Sequence, residues 1–426
     1  MESTSAAGTR SGRALTAAEA AARLGVKRAS LYAYVSRGIL PRRVAPDGKT
    51  SRFDLDDVER LVRSRRRGRP PDPSIELTIT TSITRISDQG VWYRGRPLAE
   101  LAGSWSFERT AEWLWTGVDV GEPARAWAAA PVGAIVAAPA MWPRRLDALV
   151  ALTAAAASLD PHRDPMGATA AGRRLIATFA DHVPPPGSGR ARRPPTRSIA
   201  ARLAARLGPS IATARFAPLL DRTLVLLADH DLASSTLAAR IAGSTRADPY
   251  GVVLAGLGVV SGPLHGGASR QAVAFLDELD RSSDVPAAIA SWLAAGRRLP
   301  GFGHKIYRGT DPRYTLLADA LVAEDRWPSI VTEVVDAARD QRGLRPNIDL
   351  AIAALIRGTG LPADTGELLF AVARTAGWIA HAIEEYGEAP VRFRPSSVYV
   401  GPMDPPADDP QVVAKSSRFG ERVQPQ

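Results

Sequence analysis

Apolar residues recur at helical spacing along most of the chain. From Pro97 onward, the stretches Phe107 to Leu114, Arg144 to Leu159, Ser198 to Leu207, Pro218 to Leu227 and Ala233 to Ile241 gather Ala and Leu on one side of a helix. An earlier stretch has a different period. Ile75 to Ile86 alternates Ile, Leu and Thr, which predicts short strands or a hairpin turning at Asp88-Gln89-Gly90. Pro249 to Ser269 has no Lys, Arg, Asp or Glu and nearly the length of a membrane span, but it holds six glycines, two prolines and a histidine. A buried helix running into a glycine-rich loop fits it better. Val183 to Arg197 reads as a surface loop rich in Pro, Gly and Arg. The expected body is mainly α.

The first seventy residues follow another plan. Thr16-Ala17-Ala18-Glu19 is a capping box, opening a short helix to Leu24 that Gly25 breaks. Lys27 to Arg37 predicts a second helix, with Leu31 and Val35 on one face and Gly38 as its stop. Two extended pieces, Arg42-Arg43-Val44 and Ser51-Arg52-Phe53, flank a turn at Pro46-Asp47-Gly48. Asp54 then caps a last helix ending in the run Arg63 to Arg67, and Gly68 to Pro73 cannot continue it and reads as a stiff linker.

Charge sharpens that division. The 426 residues carry a net charge of +10, yet residues 1–70 alone hold sixteen basic against seven acidic side chains, a net +9. The remainder is nearly neutral. Such asymmetry suggests a basic module that meets a polyanion; a solvated basic tail is the plainer alternative. There are no cysteines, which excludes disulfides, thiol nucleophiles and cysteine zinc sites. Met1 to Arg13 is polar and lacks the apolar core of a secretory signal, so a cytoplasmic protein is expected.

The order helix, turn, helix, wing, helix over residues 1–67, carried by LTAAEAAARLGVKRASLYAYVSRGILP, resembles the winged helix-turn-helix of the MerR and excisionase type. That resemblance implies Lys27, Arg28, Ser30 and Tyr34 near DNA, with Arg42, Arg43, Lys49 and Arg52 near phosphates. Service as a protein-docking piece is the competing use.

The six histidines are informative because they are few. His265 lies in SGPLHGGA and His304 in PGFGHKIYRGTDPRY, each flanked by glycines that let a ligand approach the backbone. His230 ends an apolar run, and Asp349 sits in RPNID; His162, His182 and His381 read as surface or structural histidines. Arg313, Arg374 and Arg394 suggest a substrate with two or more carboxylates, each held by a planar fork. A carboxylate base beside imidazole donors suits proton abstraction next to a carbonyl.

The ordered motifs GPLHGGA, PGFGHKIYRGTDPRY, RPNIDLAIAAL, ARTAGWIAHAIEE and RFRPSSVY, with TSITRISDQGVWYRGRPLAELA and ADHDLASSTLAAR upstream, resemble the citrate synthase family across residues 75–400. The resemblance implies an all-α fold working as a homodimer. A linker over 68–74 would lead to a large domain over 75–262 and 361–426, with a small domain over 263–360. It also implies catalytic roles for His265, His304 and Asp349 in condensing acetyl-CoA with oxaloacetate. His230, Arg313 and Arg374 would be oxaloacetate ligands, Arg394 an arginine given to the partner subunit, and Arg308 a CoA-phosphate contact. No cofactor beyond the CoA thioester substrate and no metal are implied. Where many members have a second histidine, this chain has Leu227. Two alternatives stay open: a 2-methylcitrate synthase using propionyl-CoA, and a DNA-binding regulator using the body as a metabolite sensor.

Overall fold

The computed structural model describes residues 14–24, 26, 31–32, 34–35, 40–44, 50–55, 57–58, 78–87, 90–133, 144–185, 198–208 and 213–395. The chain divides into two compact units, Met1–Thr80 and Thr81–Gln426. The expected linker over 68–74 lies outside the described residues.

In the first unit, Thr16 caps helix α1 (Ala17–Arg23) with the expected reciprocal bonds. Its Oγ1 accepts the Glu19 N–H at 3.3 Å, and the Glu19 carboxylate accepts the Thr16 N–H at 2.7 Å. Three short strands, β1 (Ala14–Thr16), β2 (Arg43–Val44) and β3 (Ser51–Asp54), form an antiparallel sheet with β3 in the centre. The sequence reading missed β1, which is short and pairs Leu15 with Phe53. Leu15, Ala20, Leu31, Leu40, Phe53 and Val58 close a small core. Asp54 ends β3, and the helical residues that follow are described only at Leu55, Asp57 and Val58. Of the residues expected near DNA, Lys27, Arg28, Ser30 and Lys49 lie outside the described residues. Tyr34 is half-buried and packs against the small core. Arg42 is exposed, Arg52 is half-buried on β3, and Arg43 lies on β2.

The second unit opens with an antiparallel meander of β4 (Thr84–Ser87), β5 (Gly90–Tyr93) and β6 (Arg96–Pro97). Among the described residues the strand begins at Thr84, later than the sequence pattern suggested, and Ser82 bonds the Glu384 side chain instead. Helices follow: α2 (Leu98–Ser104), α3 (Phe107–Thr116), α4 (Arg145–Ser158), α5 (Ala168–His182), α6 (Ile199–Leu207) and α7 (Thr213–Leu227). Then come α8 (Ser234–Ser244), α9 (Pro249–Val260), α10 (Ala268–Asp280), α11 (Val285–Ala294), α12 (Pro312–Ala323), α13 (Ser329–Arg342), α14 (Ile348–Thr359) and α15 (Thr365–Tyr386). Residues 118–133 are not helical, so the helical reading from Pro97 onward has a gap. Helix α7 starts five residues before the expected Pro218 and carries that proline internally.

Helix α15 is the axis of this unit. It is buried along most of its length and packs against α3, α5, α7, α8 and α9. The α9 crossing is close: a Cβ at Gly256 would stand 2.5 Å from the Trp378 ring. Helices α10, α12, α13 and α14 form a neighbouring group. Among the described residues, no helix is long and apolar enough to cross a membrane.

Candidate active site

Three loop or helix-start segments and the middle of α15 bring the candidate residues together. The first follows α7. Tyr93 on β5 clamps its backbone, accepting the Asp229 N–H at 3.1 Å and donating to the Asp229 carbonyl at 2.7 Å. This sets His230, which is 7% exposed, with Nε2 2.9 Å from Tyr307 Oη.

The second segment runs from Gly301 to Arg313 and is tied to the residues leading into α14. Gly303 N–H donates to the Arg345 carbonyl at 2.8 Å, and Asn347 returns bonds to the carbonyls of Gly301 and Gly303 at 2.9 and 2.8 Å. His304 therefore lies beside His230, ring centroids 5.2 Å apart, and over Tyr307 at 4.6 Å. Its Nδ1 accepts the Ile306 N–H at 3.1 Å, so a neutral ring carries its proton on Nε2 as a donor. Asp311 caps α12 and grips Arg313. Asn347 caps α14, its Oδ1 accepting the Asp349 N–H at 3.0 Å, which fixes Asp349 in the first turn.

The third segment is the turn after α9. His265 is half-buried, with Nε2 2.8 Å from Ser235 Oγ on α8 and its ring edge-on to Phe370 at 5.3 Å. The fourth contribution is Arg374 on α15, 1% exposed. It donates Nε–H to the Leu227 carbonyl at 2.9 Å and stacks over the same Phe370 ring at 4.6 Å. Its Nη1 is buried with no hydrogen-bond partner among the described residues.

Electrostatics follow from this burial. His230 is pushed well below the ordinary histidine value by burial, and then by Arg313 and Arg374. Burial and Arg374 bring His265 down to about 4, and burial with Arg313 lowers His304. All three rings are thus neutral near pH 7. Asp349 moves the other way, raised to about 6 by burial against the opposing pull of Arg313. The cluster offers neutral donors, two buried guanidiniums and one carboxyl poised near working pH: the equipment for binding a dianion and moving a carbon-bound proton.

Of the residues expected in the site, His230, His265, His304, Arg313, Arg374 and Asp349 converge here. Arg308 and Arg394 are exposed and form no hydrogen bond or ion pair with the cluster among the described residues. His162 is exposed, and His381 is fully buried in a structural network. The sequence reading missed Ser235, Tyr307, Asp311, Asn347 and Phe370. Tyr307 and Asp311 sit inside the PGFGHKIYRGTDPRY motif, and Phe370 precedes Arg374 by one helical turn, so spacing alone could have found it. No group of three or more His, Asp or Glu side chains among the described residues stands where it could share a metal ion.

Comparison with known proteins gives the same picture. The sequence model for the citrate synthase C-terminal domain matches residues 76–396, and that for a helix-turn-helix domain matches residues 14–66. Citrate synthase from Synechocystis is 37% identical over 194 residues, covering 43% of this chain and 49% of that protein. The Haloferax volcanii enzyme is 36% identical over 191 residues, 43% of this chain and 50% of that one. The aligned part thus spans about half the length of these curated relatives. Solved structures align over far more. Citrate synthase from Thermotoga maritima superposes with a TM-score of 0.63 at 26% identity, over 81% of this chain and 97% of that one. A ternary complex of the Thermoplasma acidophilum citrate synthase with carboxymethyl coenzyme A and oxaloacetate gives 0.64 at 26% identity, over 80% and 97%. Fold, ordered motifs and family match agree over three quarters of the sequence, and the chain belongs to the citrate synthase family.

Proposed function

We propose that the body condenses acetyl-CoA with oxaloacetate and hydrolyses the citryl thioester to citrate and free CoA, with no cofactor beyond that thioester. One observation carries the reading: imidazoles kept neutral by burial stand with buried Arg313 and Arg374, and Arg374 Nη1 has no acceptor among the described residues. A buried guanidinium donor left unpaired is costly, and a substrate carboxylate would satisfy it.

In this scheme His230, Arg313 and Arg374 hold the oxaloacetate carboxylates, while His304 Nε2–H polarises its C2 carbonyl. Asp349 takes a proton from the acetyl methyl group, and His265 donates to the thioester oxygen as enol character develops. With Ser235 Oγ against Nε2, Nδ1 of His265 is the nitrogen left to face that oxygen. The enol carbon then bonds to C2 of oxaloacetate, whose oxygen gains a proton. Water cleaves the thioester to a carboxylate and CoA thiol. Arg308 would meet a CoA phosphate.

The large domain over 75–262 and 361–426 and the small domain over 263–360 would bound the cleft in a cytoplasmic homodimer, Arg394 completing the partner's site. The test is release of CoA thiol when purified protein meets both substrates. No release, beside a control synthase that works, overturns the reading. A single methylene changes pocket discrimination by only ~1–3 kcal/mol. The 2-methylcitrate alternative is therefore decided by comparing kcat/KM for acetyl-CoA and propionyl-CoA.

A second reading concerns the N-terminal unit. Its helix-turn-helix match and the net +9 on residues 1–70 support contact with DNA. A body kept only as a sensor would need the arginines that bind oxaloacetate but not Asp349, so an enzyme that also binds DNA is favoured over a sensor alone.

A further inference from the structure

Behind His230 runs a chain of buried polar groups that the chemistry above does not use. Asp229, Arg240, His381 and Glu385 are each fully buried. Arg240 on α8 places Nη1 2.9 Å from His381 Nδ1. A guanidinium only donates, so Nδ1 accepts and the imidazole proton sits on Nε2. That nitrogen faces Asp229 Oδ2 at 3.4 Å, which also accepts the Thr84 hydroxyl at 2.5 Å and the Asp231 N–H at 3.1 Å. Asp229 is the residue before His230.

The other face of Arg240 meets the C-terminal end of α15 and the residues just after it. Its Nε donates to Glu385 Oε2 at 3.1 Å, and Glu385 receives a two-pronged bond from Arg392 at 2.6 and 2.8 Å. Beside it, Val391 adopts φ +55°, strained for a β-branched residue, with its N–H bonded to the Ser244 carbonyl on α8 at 2.8 Å. Arg394 follows two residues after Arg392.

We propose that His381 and Arg240 are positioning residues of the dicarboxylate subsite. Arg240 sets the His381 proton on Nε2, that proton holds Asp229 and so aims His230, and the same guanidinium anchors the root of the segment bearing Arg394. The proposal rests on the reading of His230 as an oxaloacetate ligand.

The test compares wild type with His381→Phe and His381→Gln, whose amide keeps one acceptor and one donor. His381→Phe should raise KM for oxaloacetate about tenfold or more, leaving kcat and KM for acetyl-CoA within about twofold. His381→Gln should recover to within about threefold of wild type. An unchanged oxaloacetate KM, or both KM values rising together, overturns the proposal.

Nitrogen-15 spectra of histidine-labelled protein without substrate give a second, activity-independent readout. The His381 ring should show protonated Nε2 and bare Nδ1 in wild type, and the opposite tautomer overturns the proposal even if His381→Phe does not fold. The His230 ring signals should move in His381→Phe and return in His381→Gln; unmoved signals also overturn it. Wild-type protein without turnover would instead overturn the enzymatic reading, and the spectra would still decide the positioning role.

Discussion

Asp311 holds Arg313 with both carboxylate oxygens, Oδ1 to Nε at 3.1 Å and Oδ2 to Nη2 at 2.7 Å, with both side chains almost fully withdrawn from water. The same Oδ2 accepts the Ile348 N–H at 3.1 Å, one residue before Asp349. One carboxylate therefore fixes both Arg313, a proposed oxaloacetate ligand, and the start of the helix bearing the proposed base.

Asp311→Asn should leave a buried guanidinium uncompensated and cost about 3–5 kcal/mol of stability. Burial alone would raise the Asp311 carboxyl, but Arg313 outweighs it and holds the group below its ordinary value. A depressed folded value means the contribution is present above the unfolded value and is lost as pH falls below about 4. Thermal melts of the two proteins should converge in acid and differ most near neutrality; a constant difference would contradict this.

Asp349→Asn should lower turnover by about 10²–10⁴-fold, the scale of one positioned base. The folded value of about 6 lies above the unfolded one of about 4, so stability is lost progressively as pH rises from about 4 to about 6, and the full cost remains above that. The variant should therefore melt higher than wild type at pH 8, by up to about 2–3 kcal/mol, with the gain fading towards pH 4. Wild-type kcat/KM should climb through about pH 6. A variant less stable than wild type at pH 8 would contradict the assignment.

Gly377→Ala tests how closely α15 meets the His230 loop. A Cβ there would clash with Asp229 Oδ1 and stand 2.5 Å from the Ala228 carbonyl, while the Gly377 N–H bonds that carbonyl at 3.0 Å. The expected cost is about 1–3 kcal/mol with weaker oxaloacetate binding, read by calorimetry.

If Arg394 completes a neighbouring subunit's site, Arg394→Ala and His265→Ala homodimers should each be nearly inactive. Mixing them under conditions of confirmed subunit exchange should restore activity, because some mixed dimers keep one intact site. Mixtures that stay inactive would contradict the shared site.

If the basic N-terminal unit meets DNA, selection from random duplexes should enrich a two-half-site sequence. Affinity should fall steeply between about 50 and 200 mM salt as counterions are released. Absence of both enrichment and salt dependence would leave the unit as a docking piece.

Much of this was legible from local pattern. The Thr16–Glu19 capping box, the hairpin pairing Ser87 with Gly90, and the helices from Phe107, Arg145, Ile199 and Ser234 follow from short-range rules. Glycine-flanked His265 and His304, with Asp349 and the arginines, marked the site. What stayed hidden depends on contacts distant in sequence. Nothing local shows that Tyr93 clamps Asp229, that Ser235 meets His265, or that an ordinary-looking His381 bridges Arg240 and Asp229. Pro218 misled in the other direction: it looked like a helix start, yet α7 runs through it.

The wiring of Ser82 and Thr84 also limits how such a gene can be cut and joined. Ser82 donates through both its N–H and hydroxyl to Glu384, at 2.8 and 2.9 Å, and Thr84 reaches the buried Asp229 carboxylate. An upstream module could be gained, exchanged or lost by recombination only if the junction falls before Ser82. A break three residues later would strip partners from half-buried Glu384 and fully buried Asp229 on the far side of the sequence, so fusion partners of this body should vary freely up to that point and not beyond it.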